Sequence, residues 1–464
     1  MKQMIKLNND RYRLGYHVSA PAGWINDPNG FCYYKGYYHI FYQYHPYSAD
    51  WGPMHWGHAY SKDLIHWESL PIALAPDTKA DEDGCFSGSA IVKDDVLYLI
   101  YTGHHYYGDG DPDHFWQNQN LAYSTDGINF TKYENNPIIK TPPTDNTHHF
   151  RDPKIWQKDG SYYMILGSQG KDGLGRVITY RSSDLKKWQY LGEITKADGL
   201  STEGYMWECP DFFKLADKDI LLLSPQGIKA DGQKYRNLFQ TGYFVGNYDY
   251  DTNTFEHGSF TELDHGHDFY ATQTTLAPDG RRLVFGWMDM WESDFPEKAD
   301  GWAGALTLPR ELVLKDEKLY MRPIKELSKL RTKKLATLDA PKTKKVLLCE
   351  DETQVELDLR FEQITELEFK LTDQNEHSHV SLYFDKAKNM FTLHNGDERY
   401  ATITPSSDLR LQVFIDTSSL EIFINDGEAV FTERFYFEKP KAWLTSSAVK
   451  GNIYRLDNKA ITFK

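Results

Sequence analysis

The chain has 464 residues, which is long enough for two or more domains with a substantial buried core. The chain has 52 Lys and Arg residues and 67 Asp and Glu residues, which gives a net charge of −15. No run of basic residues is long enough to bind along a phosphate backbone, which argues against a nucleic-acid partner. No stretch approaches the roughly 18 apolar residues of a membrane span, and the first ten residues lack the apolar core of a secretory signal. The four cysteines are widely separated and form no CxxC pair, which argues against a structural zinc site. We therefore predict a soluble, cytoplasmic protein without a membrane partner.

Hairpin-like units recur along the first two thirds of the chain, each with a short apolar strand, a polar turn and a strongly apolar strand. The turns follow one another at a spacing of about 60 residues. They fall at Lys35-Gly36, Asp94-Asp95, Asp159-Gly160, 217–219 and Asp279-Gly280. Short strands at this period, without helical periodicity between them, are typical of radially repeated four-stranded sheets. We therefore predict a five-bladed β-propeller over residues 1–325.

The remainder of the chain has a different pattern. A helix-permitting stretch and a Lys-rich segment follow the repeats, and we assign residues 326–338 to a linker. Residues 339–464 contain segments of alternating apolar and polar residues, which are typical of antiparallel strands with one wet face, so a C-terminal β-sandwich is expected. The predicted fold class is therefore all-β, with a five-bladed propeller followed by a β-sandwich.

The first strand of each propeller blade lines the central channel, so residues shortly before each turn should converge on the axis. This position holds Asp27, Ser87, Asp152, Glu208 and Tyr270. Three neighbouring carboxylates repel one another, which costs free energy unless a proton is shared or a cation compensates. Clusters of this kind are typical of functional sites. The alternative for any one acid alone is that it caps a turn beside its neighbouring proline.

Two carboxylates that flank a glycosidic bond suffice for its hydrolysis, because one attacks or activates water while the other protonates the leaving oxygen. Arg151 is expected to keep its neighbour Asp152 ionised. The apolar neighbours of Glu208, Trp207 and Cys209, favour its protonated form, so Glu208 is the better acid. The third carboxylate is then available to bind sugar hydroxyls.

Four motifs on successive repeats resemble those of glycoside hydrolase family 32, and the resemblance covers nearly the whole chain. They are 26–30 (NDPNG), 86–89 (FSGS), 151–153 (RDP) and 208–210 (ECP). The resemblance implies a retaining β-fructofuranosidase that cleaves sucrose or sucrose 6-phosphate and needs no cofactor or metal. It assigns Asp27 as the nucleophile, Glu208 as the acid/base and Asp152 as the transition-state stabiliser. Retention implies that the carboxyl groups of Asp27 and Glu208 lie about 5 to 5.5 Å apart.

The resemblance also places eight side chains around the fructosyl unit. They are Asn26, Gln43, Trp51, Phe86, Ser87, Arg151, Tyr270 and Trp287. The alternative is that Trp51 and Trp287 are core aromatics and that Gln43 is hydrogen-bonded within a strand. Cys209 is expected to tune Glu208 and not to act as a nucleophile, because no histidine adjoins it in sequence.

Within that family, residues 51–58, 224–227 and 235–237 resemble the bacterial sucrose-6-phosphate hydrolases. This implies positive charge in the leaving-group pocket, for which His45, Lys234 and Arg236 are the candidates. The alternative is that these long polar side chains are merely solvated on a loop.

Three rival functions remain open. A fructosyltransferase or a fructo-oligosaccharide hydrolase would use the same acids on a small sugar. A non-catalytic sugar-binding propeller belongs to a different class, and the intact acids argue against it.

The adjacent pairs His104-His105 and His148-His149 point apart on a strand, so rim or surface roles are expected in place of metal ligation. The sequence leaves the oligomeric state undetermined.

Overall fold

The structure is a computed structural model that describes residues 3–463, and these residues form β-strands with only three short helices between them. The helices are α1 (Leu200–Glu203) and two 3-10 helices, Pro296–Asp300 and Lys325–Leu330. The predicted all-β class is confirmed. The outer bounds of the two predicted domains, residues 1 and 464, lie outside the described residues.

Five sheets follow one another along residues 23–323, and each is built around four antiparallel strands. The first two contain β1 (Gly23–Tyr34), β2 (Tyr37–His45), β3 (His55–Ser61), β4 (Trp67–Leu74), then β5 (Gly84–Lys93), β6 (Val96–Tyr106), β7 (Phe115–Ser124) and β8 (Thr131–Lys132). The third and fourth contain β9 (Asn146–Lys158), β10 (Ser161–Gly170), β11 (Gly175–Ser182), β12 (Gln189–Lys196), then β13 (Met206–Leu215), β14 (Lys218–Gln226), β15 (Gly242–Asp249), β16 (Thr254–His257) and β17 (Thr261–Glu262). The fifth contains β18 (Tyr270–Leu276), β19 (Arg282–Trp287), β21 (Arg310–Lys315) and β22 (Lys318–Pro323), while β20 (Trp302–Ala303) returns to pair with β1.

The first strands of these sheets form a closed ring. β1 contacts β5, β5 contacts β9, β9 contacts β13, β13 contacts β18, and β18 returns to β1. The second strand of each sheet is an apolar run; in β14, residues 220–223 are all fully buried. Such a strand is covered on both faces, as expected where neighbouring sheets pack against each other. The ring therefore brings together residues from five distant segments of the chain.

Two six-stranded sheets make up the carboxy-terminal part, and their apolar faces share one hydrophobic cluster. The strands are β23 (Arg331–Ala340), β24 (Thr343–Glu350), β25 (Val355–Phe361), β26 (Leu367–Thr372), β27 (His379–Asp385), β28 (Met390–Asn395), β29 (Asp397–Thr402), β30 (Leu409–Asp416), β31 (Ser419–Ile424), β32 (Ala429–Arg434), β33 (Lys441–Ser446) and β34 (Val449–Leu456). The last strand, β35 (Ile461–Thr462), pairs with β4 of the first sheet. The segment predicted as a linker contains most of the second 3-10 helix and the first residues of β23.

A buried ionic network joins the two parts of the chain. His17 lies between Asp416, 2.8 Å from its Nδ1, and Glu421, 2.6 Å from its Nε2. Burial opposes the imidazolium, but the hydrogen bonds to both carboxylates raise the pKa of His17 to about 9. Arg310 also contacts Glu421, at 2.6 Å, and all four side chains are fully buried. Breaking one member would leave a buried charge unpaired, so the network fixes the two parts against each other.

Across the described range, no helix is both long enough and apolar enough to cross a membrane.

Candidate active site

In each of the five sheets, the pairing between the first and second strands is irregular. The irregularity lies near the residue that the sequence analysis placed at the axis of the ring. The irregularities lie between Ile25 and Pro28, Cys85 and Gly88, Arg151 and Lys154, Glu208 and Asp211, and Tyr270 and Thr272. A bulge adds an unpaired residue and turns its side chain away from the regular pleat. The repeated irregularity thus directs one segment of every sheet toward the same end of the ring.

The backbone is strained at the same level of the ring. Asp152, Cys209 and Ala271 have φ values of 64°, 48° and 53°. A non-glycine residue in this left-handed region costs on the order of 1 kcal/mol or more. The strain therefore accumulates at the positions where three of the first strands approach one another, as is typical of functional sites.

A cavity of about 390 Å³ opens at this end of the ring, and the three predicted catalytic acids all line it. Of the predicted sugar-binding residues, the wall includes Asn26, Gln43, Trp51, Phe86, Ser87 and Arg151. The wall also includes His104, Tyr106, Pro112, Asp113, Phe115, Gln117, His149, Tyr205, Gln226 and Trp291. The structure thus brings together residues that are as far apart as 26 and 291 in the sequence.

Asp27 is buried and accepts three hydrogen bonds. Ser87 Oγ donates to its Oδ2 at 2.6 Å, and Asn26 Nδ2 donates to its Oδ1 at 3.0 Å. The thiol of Cys209 lies 3.3 Å from Oδ2. Burial and the nearby charge of Glu208 raise the pKa of Asp27, and these hydrogen bonds offset only part of that rise. Asn26 is itself held by Trp24, whose indole Nε1 donates to its Oδ1 at 2.8 Å.

Glu208 is held by one cation and two neutral donors. Arg151 contacts its Oε1 at 2.9 Å through both Nε and Nη2, Gln226 donates to its Oε2 at 3.0 Å, and the Tyr270 hydroxyl also donates to Oε2. The prediction that Arg151 keeps Asp152 ionised is therefore wrong, because the guanidinium forms its ion pair with Glu208. The predicted apolar setting of Glu208 is wrong for the same reason, since a guanidinium and two polar side chains contact its carboxyl group. Adjacent side chains on a strand point in different directions, and the bulge changes these directions further. The position of Arg151 next to Asp152 in the sequence therefore did not identify its ion-pair partner.

Asp152 lies beside Cys209. The backbone N–H of Cys209 donates to Asp152 Oδ2 at 2.9 Å, and its thiol is 3.6 Å from the same oxygen. Burial and the charge of Glu208 raise the pKa of Asp152 to about 7, outweighing the opposing effect of Arg151. Burial and the surrounding carboxylates raise the pKa of the Cys209 thiol well above its usual value, so the thiol is neutral. Its contacts are with Asp27 and Asp152, and not with Glu208 as the sequence suggested.

The remaining two predicted sugar-binding residues lie behind the wall. Tyr270 is buried and contacts Glu208. Trp287 is fully buried and packs against Trp24 and Trp291, with ring centroids 5.9 and 5.0 Å apart. Trp291 reaches the cavity, so Trp287 supports the aromatic wall from behind.

Several residues of the wall were not predicted from the sequence. His104 stacks on Phe86 with the centroids 4.2 Å apart, in agreement with the expected rim role. Its neighbour His105 is fully buried on the other side of the strand, so the expected rim or surface role is wrong for that residue. His149 accepts a hydrogen bond from Arg151 at 2.9 Å, and burial and that guanidinium lower the pKa of His149 to about 2. Gln226 could have been found from the predicted hairpin, because it lies on the second strand of the sheet and pairs with Met206, two residues before Glu208.

The three candidates for phosphate contacts do not line the cavity. His45 is buried, and its Nδ1 lies 2.8 Å from the carbonyl oxygen of Asp50. Lys234 is exposed, and its backbone pairs with that of Asp231 across a turn. Arg236 donates to the carbonyl oxygen of Glu398 at 3.0 Å and so contacts the carboxy-terminal sheets.

Two family models match the chain. The N-terminal domain of glycosyl hydrolases family 32 matches residues 17–323, and the C-terminal domain of that family matches residues 326–454. The chain is 44% identical over 449 residues to a sucrose-6-phosphate hydrolase of Escherichia coli, covering 94% of this chain and 92% of the relative.

Solved structures agree with this. The GH32 β-fructofuranosidase of Bombyx mori has a TM-score of 0.90 and 40% identity, covering 98% of this chain and 95% of that one. A sucrose-6-phosphate hydrolase of Lactobacillus gasseri has a TM-score of 0.88 and 30% identity, covering 97% and 94% of the two chains. The motifs and the acids that line the cavity lie within residues 17–323, which the first of the two family models matches. The chain belongs to glycosyl hydrolase family 32.

Proposed function

We propose that this chain is a retaining β-fructofuranosidase that hydrolyses sucrose, and with it sucrose 6-phosphate, by double displacement. The observation that carries the proposal is that Asp27, Asp152 and Glu208 line one cavity, in a chain of glycosyl hydrolase family 32. The Bombyx mori relative has been solved, as a mutant, in complex with sucrose, and the Escherichia coli and Lactobacillus gasseri relatives are named sucrose-6-phosphate hydrolases.

Asp27 is the nucleophile in this proposal. Its carboxylate attacks the anomeric carbon of the fructosyl unit, and the bond from that carbon to the leaving oxygen breaks as the ester forms. The Ser87 hydroxyl and the Asn26 amide hold the carboxylate in one orientation at 2.6 and 3.0 Å. The same hydrogen bonds favour the ionised, nucleophilic form and oppose the rise in pKa that burial causes.

Glu208 is the acid and then the base. It gives its proton to the leaving oxygen, and in the second step it removes a proton from the water that hydrolyses the fructosyl ester. Arg151, 2.9 Å away, stabilises the carboxylate that the first step produces. Gln226 and Tyr270 hold the other oxygen, so the group stays in place while its charge alternates.

Asp152 binds the fructosyl hydroxyls. A carboxylate that accepts hydrogen bonds from the sugar stabilises the positive charge that develops on the ring, and this lowers the barrier if the bonds strengthen in the transition state. Because the pKa of Asp152 is about 7, the number of protons that the three acids share changes near neutral pH. Trp51 and Phe86, whose rings meet edge to face at 6.1 Å, offer apolar surface to the sugar.

The charge of the wall bears on the form of the substrate. Asp113 adds a fourth carboxylate to the three acids, and Arg151 is already paired with Glu208. His149 is held neutral by its lowered pKa. A phosphate dianion would face net negative charge, so we propose that sucrose is preferred over its 6-phosphate.

We also infer the architecture and the setting. The closed ring of first strands supports a five-bladed β-propeller within residues 1–325, and the two six-stranded sheets around one core support a carboxy-terminal β-sandwich whose strand β23 begins at Arg331, inside the predicted linker. The four cysteines of the described chain are free and buried, which supports a cytoplasmic location. The expected partner is a small sugar.

The test is kcat/KM of the purified protein on sucrose and on sucrose 6-phosphate, side by side, with Asp27→Asn and Glu208→Gln as matched isosteric variants. We expect turnover of sucrose with release of β-fructose, followed by NMR before mutarotation, and a loss of at least about 10³-fold in either variant. Release of α-fructose would exclude a retaining mechanism, and full activity of Asp27→Asn would exclude its role as nucleophile. Transfer of fructose to sucrose as the main product would identify a fructosyltransferase.

A further inference from the structure

A second group of ligand-type side chains lies at one end of the second sheet, where β5 begins and β6 ends, and it includes none of the catalytic acids. It consists of Glu82 and Asp83, which precede β5, and His105 near the end of β6, and we call it the rim cluster. One ligand atom from each residue lies within 4.8 Å of the others. None of the three belongs to the cavity wall described above. The cluster is therefore not explained by the proposed hydrolysis.

His105 supplies an observation that is independent of the acidic residues. The residue is fully buried, and its ring stacks on Trp116 with centroids 3.7 Å apart and planes at 6°. Its Nδ1 is buried without a hydrogen-bond partner and points toward Glu82, 3.6 Å from Oε1. A buried ring nitrogen without a partner carries a desolvation cost that a ligand at that position would remove.

The other nitrogen of the same ring has partners of both kinds. Nε2 lies 3.1 Å from the carbonyl oxygen of Ala80 and 3.2 Å from the amide nitrogen of Asn118. If Nε2 carries the proton, it donates to Ala80 and the lone pair of Nδ1 faces Glu82. If Nδ1 carries the proton, its distance of 3.6 Å to Glu82 is too long for a hydrogen bond. Neither tautomer satisfies Nδ1 within the protein.

The surroundings match those of a metal-binding histidine. Such a histidine usually donates its second ring N–H to a carbonyl or carboxylate, as Nε2 can do to Ala80 here. Asp83 is likewise oriented by a second contact, because the backbone N–H of Tyr106 donates to its Oδ2 at 2.7 Å and leaves Oδ1 available. The Glu82 side chain is 62% exposed and therefore able to adjust its position around an ion.

We propose that Glu82, Asp83 and His105 bind a divalent transition-metal ion, with Zn²⁺ as the favoured ion. Tetrahedral zinc with bonds of about 2.1 Å separates its ligand atoms by about 3.4 Å. The spacing of 3.6 Å between His105 Nδ1 and Glu82 Oε1 is close to that value. One imidazole nitrogen and two carboxylates suit zinc or manganese better than calcium or magnesium, which take oxygen ligands alone.

The position of the site defines its role. His104 faces the cavity, and because adjacent residues of a strand point to opposite faces, His105 and its ion lie behind that wall. The three ligand residues are not part of the cavity wall, so the ion is not placed to take part in the bond cleavage. Two of its ligands connect to the wall: His105 lies between His104 and Tyr106 in the chain, and Asp83 accepts the backbone N–H of Tyr106. The site therefore stabilises the rim and is not catalytic.

The experiment uses the full chain, freed of metal with a chelator, and isothermal titration with ZnCl₂ or MnCl₂ alone. We expect one Zn²⁺ per chain and a rise in Tm of several degrees when zinc is present at about a hundred times its Kd. The double variant Glu82→Gln, Asp83→Asn should lose at least about tenfold in zinc affinity and the Tm rise. Since Asn at position 83 keeps an oxygen for the N–H of Tyr106, the apo variant should retain its fold and its rate of sucrose hydrolysis.

His114→Ala is the matched control. His114 forms an exposed pair with Asp109 on the neighbouring loop and represents ordinary surface binding of zinc by a histidine and a carboxylate. It should bind zinc as the wild type does. His105→Asn, once circular dichroism has shown that it is folded, should lose zinc affinity as the double variant does. Absence of zinc binding to the wild type, or unchanged affinity in the double variant, overturns the proposal, as does loss of the strongest site in His114→Ala alone.

Discussion

Asp152→Asn should stabilise the protein while abolishing its activity, and the stabilisation should depend on pH. The folded-state pKa of Asp152 is about 7, raised by burial and by Glu208. The unfolded value is about 3.9. Because the folded state binds the extra proton between these values, stability falls as pH rises from about 4 to about 7. At pH 4 the wild type and the variant should therefore be similar, and at pH 8 the variant should be the more stable.

The magnitude follows from the difference in pKa. About 3 units at about 1.4 kcal/mol each give an upper limit of about 4 kcal/mol at pH 8. The amide also loses hydration on burial, so we expect about 1 to 3 kcal/mol. The backbone of residue 152, with φ 64°, accommodates Asn as well as Asp, and the amide oxygen can still accept the N–H of Cys209. The substitution thus removes a charge without disturbing the local conformation.

The assay is Tm by differential scanning calorimetry from pH 4 to pH 8. Asp416→Asn provides a matched contrast. Burial raises the pKa of Asp416, but the hydrogen bond and charge of His17, together with the hydrogen bonds from Gln354 and Gly15, outweigh burial and lower that pKa overall. That variant should lose about 3 to 5 kcal/mol at pH 7 because it breaks a buried ion pair. A Tm of Asp152→Asn that lies below that of the wild type at pH 8, or a difference that does not grow with pH, would refute the reasoning.

Three further variants probe the site. Ser87→Ala removes the 2.6 Å hydrogen bond that lowers the pKa of Asp27, so the acid limb of the kcat/KM profile should move to higher pH; a limb that stays in place contradicts this. Tyr270→Phe removes a donor to Glu208 and should lower kcat about 10- to 100-fold with the Tm nearly unchanged, as stopped assays and calorimetry can check. Arg236→Ala should change kcat/KM on sucrose 6-phosphate by less than about twofold, because the side chain contacts Glu398 outside the cavity; a loss confined to the phosphorylated substrate would return it to the site.

The sequence by itself determined the class of the fold and three of the acids that line the cavity. The period of about 60 residues and the alternation that follows it reflect local chain chemistry, which is why the all-β structure could be predicted. Asp27, Asp152 and Glu208 were found because each lies shortly before a turn at a similar though not identical offset, and a closed ring brings such positions together.

Only the tertiary structure decided which groups touch. The partner of Arg151 is Glu208, 57 positions away, and not its neighbour Asp152. Cys209 lies between Asp27 and Asp152, because its positive φ and the bulge around it change the direction of its side chain. Trp287 supports the wall from behind. These outcomes depend on contacts between different sheets and on local backbone geometry, and neither is encoded in spacing along the chain.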